Sequence, residues 1–133
     1  MMTNTSMTIY NRYVDPITKL DKWQRHNLNF VYWDASHGVS ISKGMSQNSN
    51  VDVYIPTNMN YMTYYTDSTN FKLNPVGNWT IQNGDIIVKG NITDEITKAS
   101  DLERKYNNVY TVQKVTENFY GSPNMQHLYI RGA

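Results

Sequence analysis

The sequence predicts a mainly β fold: a small antiparallel β-barrel or sandwich of six to seven strands with one short helix and long loops. Three observations carry this. The chain has 11 Tyr and 13 Thr, and aromatics make up 13% of it; these side chains fit a pleated, half-buried surface. Apolar residues recur at every second position, as in Leu28, Phe30 and Tyr32 or Val51, Val53 and Ile55, the period of a strand with one covered face. No strand–helix–strand rhythm runs through the chain, which leaves an antiparallel closure as the way to bury the strands. At 133 residues the length suits one domain, residues 1–133, able to bury roughly two-thirds of its unfolded surface.

Taken in order, residues 8–14 read as a first strand, closed by a turn at Asp15-Pro16, where Asp suits the first turn position and Pro fixes φ at the next. Residues 21–33 read as a long second strand. Residues 34–50 are rich in Ser, Gly and Asn and read as a 17-residue loop, longer than most and so of the functional or mobile kind. Val51–Pro56 is the third strand, with Pro56 ending its pairing. Asn83-Gly84, between Trp79-Thr80-Ile81 and Asp85-Ile86-Ile87-Val88, predicts a β-hairpin, since Asn-Gly supplies the two positive φ values of a type I′ turn. Trp79, Ile81, Ile86 and Val88 are then candidate core residues. Ser100-Asp101-Leu102-Glu103 is a capping box, with Ser at the N-cap and Glu at N3, opening a helix of about two turns that ends at Asn107-Asn108. Residues 109–119 and 126–131 are the closing strands, separated by a turn at Gly121-Ser122-Pro123.

Chemistry-bearing patterns are sparse. The chain has no cysteine, which excludes a disulfide scaffold, a thiol nucleophile and any Cys-ligated zinc or iron–sulfur site. His26, His37 and His127 form no HExxH or His-x-His spacing. Asp94 and Glu95 are adjacent and point apart on an extended chain, so they read as structural ion-pair or solvated acids. Gly38-Val39-Ser40-Ile41-Ser42 lacks the closing glycine of a nucleophile elbow, and no phosphate-cradling glycine motif is present. The expectation is a non-enzymatic protein with no catalytic residue, no cofactor and no metal. The net charge of +1 is far from the basic excess of a DNA-binding domain. No secretory signal is visible, and no apolar run approaches a membrane span.

The stretch 56–84 has only Asp67 and Lys72 as charges, yet holds Met59, Tyr61, Met62, Tyr64, Tyr65, Phe71 and Trp79. Part of it must be core. The Tyr and Met enrichment with depleted charge also matches the centre of protein interfaces, which makes Tyr61, Met62, Tyr64 and Tyr65 a candidate subunit interface. Stacking on single-stranded bases would call for more basic residues among the rings.

A run of segments carries a further signal. Asn83 to Gly90, Ile92 to Ile96 with its acidic pair, and Ser100 to Tyr106 follow in order, then a strand around Val112 to Thr116 and the closing Met125 to Ile130. Thr8 to Tyr13 and Lys22 to Arg25 open the pattern. Together these resemble small virion proteins of tailed phages and prophages of Gram-positive bacteria, from the head–tail connection. The resemblance implies a neck subunit, the head-closure (stopper) ring, with a tail terminator or other virion subunit as the alternative. It implies a homo-oligomer, commonly a six-membered ring, between portal or adaptor proteins and tail proteins. Double-stranded DNA then passes through a near-neutral channel without sequence-specific binding. Such rings can constrict the channel with a long loop. Here the segment 34–50, with His37, Ser42, Lys43 and Met45, is the candidate channel or inter-ring loop, although Lys43 is its only basic residue. The implied location is the virion neck, after synthesis in the host cytoplasm, with no membrane involved. A reading of another class is a β-barrel module that binds oligosaccharide or single-stranded nucleic acid.

Overall fold

The computed structural model describes residues 3–40, 46–96, 100–106, 108–122 and 125–133, with 36–40, 46–49, 100 and 103 described by their backbone alone. Six strands form: β1 (Thr5–Val14), β2 (Asp21–Ser40), β3 (Ser46–Pro56), β4 (Ile86–Lys89), β5 (Val109–Asn118) and β6 (His127–Gly132). They close in the order β1-β2-β3-β6-β5-β4, with β4 pairing back onto β1. Every neighbouring pair is antiparallel. The fold is therefore the mainly β antiparallel barrel that the alternation predicts.

The β1–β2 turn forms where Asp15-Pro16 places it. The Asp15 carboxylate accepts from the amides of Ile17 at 2.8 Å and Thr18 at 3.3 Å, and Lys19 takes a left-handed φ of 61°. Inward-pointing Met7, Ile9, Leu28, Val53, Ile87, Leu128 and Ile130 fill the barrel. Tyr10, Ile86 and Val88, on the opposite face of β1 and β4, form a second cluster with Ile92 and Leu102. Both faces of these two strands are thus covered, and Ile86-Ile87-Val88 of β4 reads as a continuous apolar run for that reason. The segment after β4 is tied across the outer face. The Thr8 hydroxyl donates to the Gly90 carbonyl at 2.8 Å and accepts from the Ile92 amide at 3.0 Å, while the Tyr10 hydroxyl donates to the Asp94 carbonyl at 2.6 Å.

Four sequence expectations are corrected. The second strand runs seven residues beyond 33, and most of the 34–50 segment is strand rather than loop. Ser36↔Asn50 through Ser40↔Ser46 are paired across β2 and β3, while β6 reaches only as far as Val51. Small polar residues here become strand because each arm pairs with the other, a tertiary effect that side-chain propensity does not report. Asn83-Gly84 is a turn but not a type I′ hairpin. Only Gly84 has a positive φ, 93°, and β4 pairs with β1 and β5 rather than with 79–81. Trp79, Ile81, Ile86 and Val88 are nevertheless all buried, two in each cluster. The helix α2 (Ser100–Glu103) is one turn rather than two. A helix not foreseen, α1 (Ser68–Leu73), is capped by the Asp67 side chain, which accepts from the Asn70 amide.

The β3–β4 connection crosses one end of the barrel. Trp79 is fully buried at its centre and donates from its indole nitrogen to the Tyr61 carbonyl at 2.8 Å. Trp79 and Tyr64 are joined through their backbones at 2.9 Å, and Thr66 bonds back to the Trp79 carbonyl at 2.9 Å. Phe71 of α1 meets Tyr13 edge-on with ring centroids 6.3 Å apart.

Candidate functional site

Strand direction gives the barrel two unlike ends. The β1–β2, β3–β4 and β5–β6 connections leave at one end, and β2–β3 and β4–β5 at the other. The three-connection end carries exposed apolar residues among charged ones such as Lys19, Lys22 and Lys72. Val14, Ile17 and Leu20 stand out on the β1–β2 turn, Leu73 and Val76 after α1, and Phe119, Tyr120 and Met125 around the β5–β6 turn. Ile17, Leu73 and Tyr120 are each more than four-fifths exposed. Isolated surface apolar residues are ordinary; several on neighbouring connections make this end a candidate contact surface. From the other end projects the β2–β3 arm. Its five residue pairs past Ala35↔Val51 span about 17 Å at strand rise. Outside the arm the ring is closed, yet β2 pairs with β3 only from Tyr32 onward, so its residues 21–30 have β1 alone as a strand neighbour.

The sequence-predicted interface residues separate. Tyr61 is buried, and its hydroxyl donates to the Phe30 carbonyl. Tyr65 packs against Trp79 with ring centroids 4.8 Å apart, and its hydroxyl donates to Glu117 at 3.2 Å. Burial raises the pKa of both phenols. Met62 is partly buried against the core. Tyr64, 51% exposed, is the member of the four whose ring faces outward. In the candidate channel loop, His37 lies on β2 with its backbone opposite Ser49; Ser42, Lys43 and Met45 lie outside the described residues. Asp94 and Glu95 take the ion-pair role read from sequence, Asp94 with Lys105 at 2.8 Å and Glu95 with Arg25 at 3.3 Å.

Two features escaped the sequence reading. The outer wall of β2, β3 and β6 carries a tyrosine row, Tyr32–Tyr54–Tyr129, with centroids 5.9 and 5.2 Å apart. Tyr129 donates to Asp52 at 2.6 Å. The alternation of β3 already placed Tyr54 opposite Val53 and Ile55; what could not be read was which strands become neighbours. The second feature is a buried polar knot. The Asp85 carboxylate accepts from the Asn11 side-chain amide at 2.6 Å and from the backbone amides of Arg12 at 3.1 Å and Gln82 at 3.2 Å. The Asn11 side chain also bonds both backbone groups of Thr80. Burial pushes the Asp85 pKa up to about 6, against the pull of those donors. The knot pins the 80–85 segment to β1 and so fixes the entry into β4. Among the described residues no group of three or more His, Asp or Glu side chains could hold a metal ion.

Over residues 2–133 the chain matches the family described as a family of unknown function (DUF6751) and belongs to it. No match is found among curated proteins or among solved structures.

Proposed function

We propose that this chain is a structural, non-enzymatic subunit of the head–tail connector of a tailed phage, assembling as a ring around the DNA channel in the head-closure position. The observation that carries this reading is the chemical asymmetry of the barrel: an apolar rim at one end and a projecting β arm at the other. A neck subunit must hold one neighbour above and another below, and an apolar rim can bury itself on a protein partner. The arm occupies the segment that the family resemblance assigns to the channel or to the next ring. Its Ser, Asn and Gly content with a single Lys suits a surface past which DNA slides, because clustered cations would grip phosphates. The rim and the tyrosine row are side-chain surfaces that assembly can use.

Deletion of the gene from the phage or prophage that carries it tests the reading. The lysate, viewed by negative-stain electron microscopy, should contain heads and complete tails that are not joined, with tailed particles restored when the gene is supplied in trans. Normally joined, infectious particles in the deletion lysate would overturn it. In intact particles, quantitative mass spectrometry should find about six copies per particle, the number the ring reading implies.

A further inference from the structure

A β-bulge interrupts the β1–β2 ladder at the end farthest from the β1–β2 turn. In β1–β2, Thr5 faces Val31 but Met7 faces Leu28, so β2 carries one residue more than its partner. The extra residue lies at Asn29-Phe30. Bulges re-aim side chains out of the alternation, and Phe30 is 57% exposed here. Two adjoining clefts share Asn29 and Phe30. One, of about 330 Å³, runs between the bulge and the 58–64 segment. The other, of about 590 Å³, runs between the bulge and residues 3–6.

The lining is unlike the rest of the surface. Six of the chain's 17 asparagines line the two clefts: Asn4, Asn27, Asn29, Asn58, Asn60 and Asn91. Among the described lining residues there is no Asp, Glu, Lys or Arg. Half-buried His26 stacks on Trp79 at 6.1 Å and lies 5.9 Å from Tyr64. Phe30 and Tyr64, both more than half exposed, stand along the trough. Burial and the neighbouring Arg25 hold the His26 pKa below its ordinary value, so its ring is neutral at neutral pH with one donor and one acceptor.

We propose that this trough binds a neutral oligosaccharide. The side-chain amides of Asn58 and Asn60 offer a donor and an acceptor a short distance apart, the arrangement that vicinal hydroxyls require, while Asn4, Asn27 and Asn91 spend both side-chain polar atoms on bonds within the protein and shape the wall. Exposed aromatic rings offer an apolar face to the C–H side of a sugar ring. The absence of charge disfavours phosphorylated or carboxylated ligands, and a nucleic acid strand would need cations to follow its phosphates. On the side of β2 away from β1, the Phe30 carbonyl is already taken by the Tyr61 hydroxyl, which obstructs the addition of a peptide strand there. Two clefts joined at Phe30 suit two or more sugar units in line. This activity goes beyond the connector reading and shares Tyr64 with its candidate interface, so it is a property of the free chain.

The test uses the full chain and three probes, chitotriose, cellotriose and maltotriose, in saturation-transfer NMR at millimolar concentration. At least one probe should receive saturation and should shift the backbone amide signals of residues 26–30 and 58–64. Phe30→Ala and Tyr64→Ala should each weaken that binding about tenfold or more while leaving the melting temperature near that of the parent, because both rings are largely solvent-facing. No saturation transfer to any of the three probes overturns the proposal. Binding that both variants retain at full strength, or shifts confined to other regions, overturns it as well.

Discussion

Two walls of the same barrel solve the same problem differently. The β1–β4 wall is covered on both faces, by the interior on one side and by the 90–106 segment on the other. The β2–β3–β6 wall is covered on one face only, and outward it shows Tyr32, Tyr54 and Tyr129. The difference teaches what each wall is for. Where both faces are buried, the strand contributes stability and offers nothing to a partner. Where one face is open, aromatic side chains support one another and remain available for contact.

Substitution can break that comparison, and the largest expected effect lies in the doubly covered wall. Ile86 and Ile87 point to opposite sides of β4, and both are buried. Ile86→Ala and Ile87→Ala should each lower the unfolding free energy by about 2–5 kcal/mol in urea titrations. A near-zero cost for Ile86→Ala alone would mean that the outer cluster is not a core.

Next in size is the pH response of the knot beside that wall. A folded pKa raised to about 6 from 3.8 means the native state holds a proton that the unfolded state has released. Stability from this group is therefore full below about pH 4, falls as pH rises toward 6 and is level above it, by up to about 3 kcal/mol. Chemical denaturation from pH 4 to 7 should show the fall in the parent and lose it in Asp85→Asn. The lowered pKa of His26 acts in the opposite sense, since its stability contribution is lost as pH falls through its titration range. The difference between parent and Asp85→Asn isolates the carboxylate from it. An unchanged slope in the variant would show that the carboxylate stays ionised under its donors.

Smaller again is the seam where the two walls meet. A Cβ at Gly132 would lie 3.0 Å from Tyr110 Cβ and 3.0 Å from Val51 Cγ1. Gly132→Ala should thus cost about 1–3 kcal/mol by overpacking, read as a lowered melting temperature. The smallest effect belongs to the open wall and rim. Tyr54→Ala should cost about 0.2–1 kcal/mol as a lost cross-strand pair, and Tyr64→Ser should leave the melting temperature near the parent's while impairing incorporation into particles. A Tyr64→Ser chain that assembles normally removes Tyr64 from the interface. Tyr65 is unsuited to the same experiment, because its contact with Trp79 would confound folding with assembly.

Much of the barrel is legible in the sequence, because burial on one face writes a period of two into β3 and burial on both writes Ile86-Ile87-Val88 into β4. The arm was not legible: Ser36 to Ser40 and Ser46 to Asn50 are mostly small or polar residues, so neither period nor propensity marks them. The α1 helix did leave a signal in Asp67 as N-cap and Asn74-Pro75 as a stop, overshadowed by the aromatics around it. In the candidate interface, composition identified an unusual stretch without saying which rings face inward. That depended on where Trp79 inserts, and the trough depended on a bulge that alternation alone cannot place.

The position of β6 has a consequence for how the molecule comes into being. It lies between β3 and β5, so the last six-residue strand to be made is the one that completes the circle. Until residues 127–132 have left the ribosome, β3 and β5 both present an unpaired edge, the state most open to joining another chain. The closing pairs are also far apart in sequence, with Thr8 opposite Val88 and Val53 opposite Ile130. Folding is consequently slow for a chain of this size. A copy that stalls before its final strand is sticky along two edges, and in a crowded assembly line it is the species most in need of a chaperone.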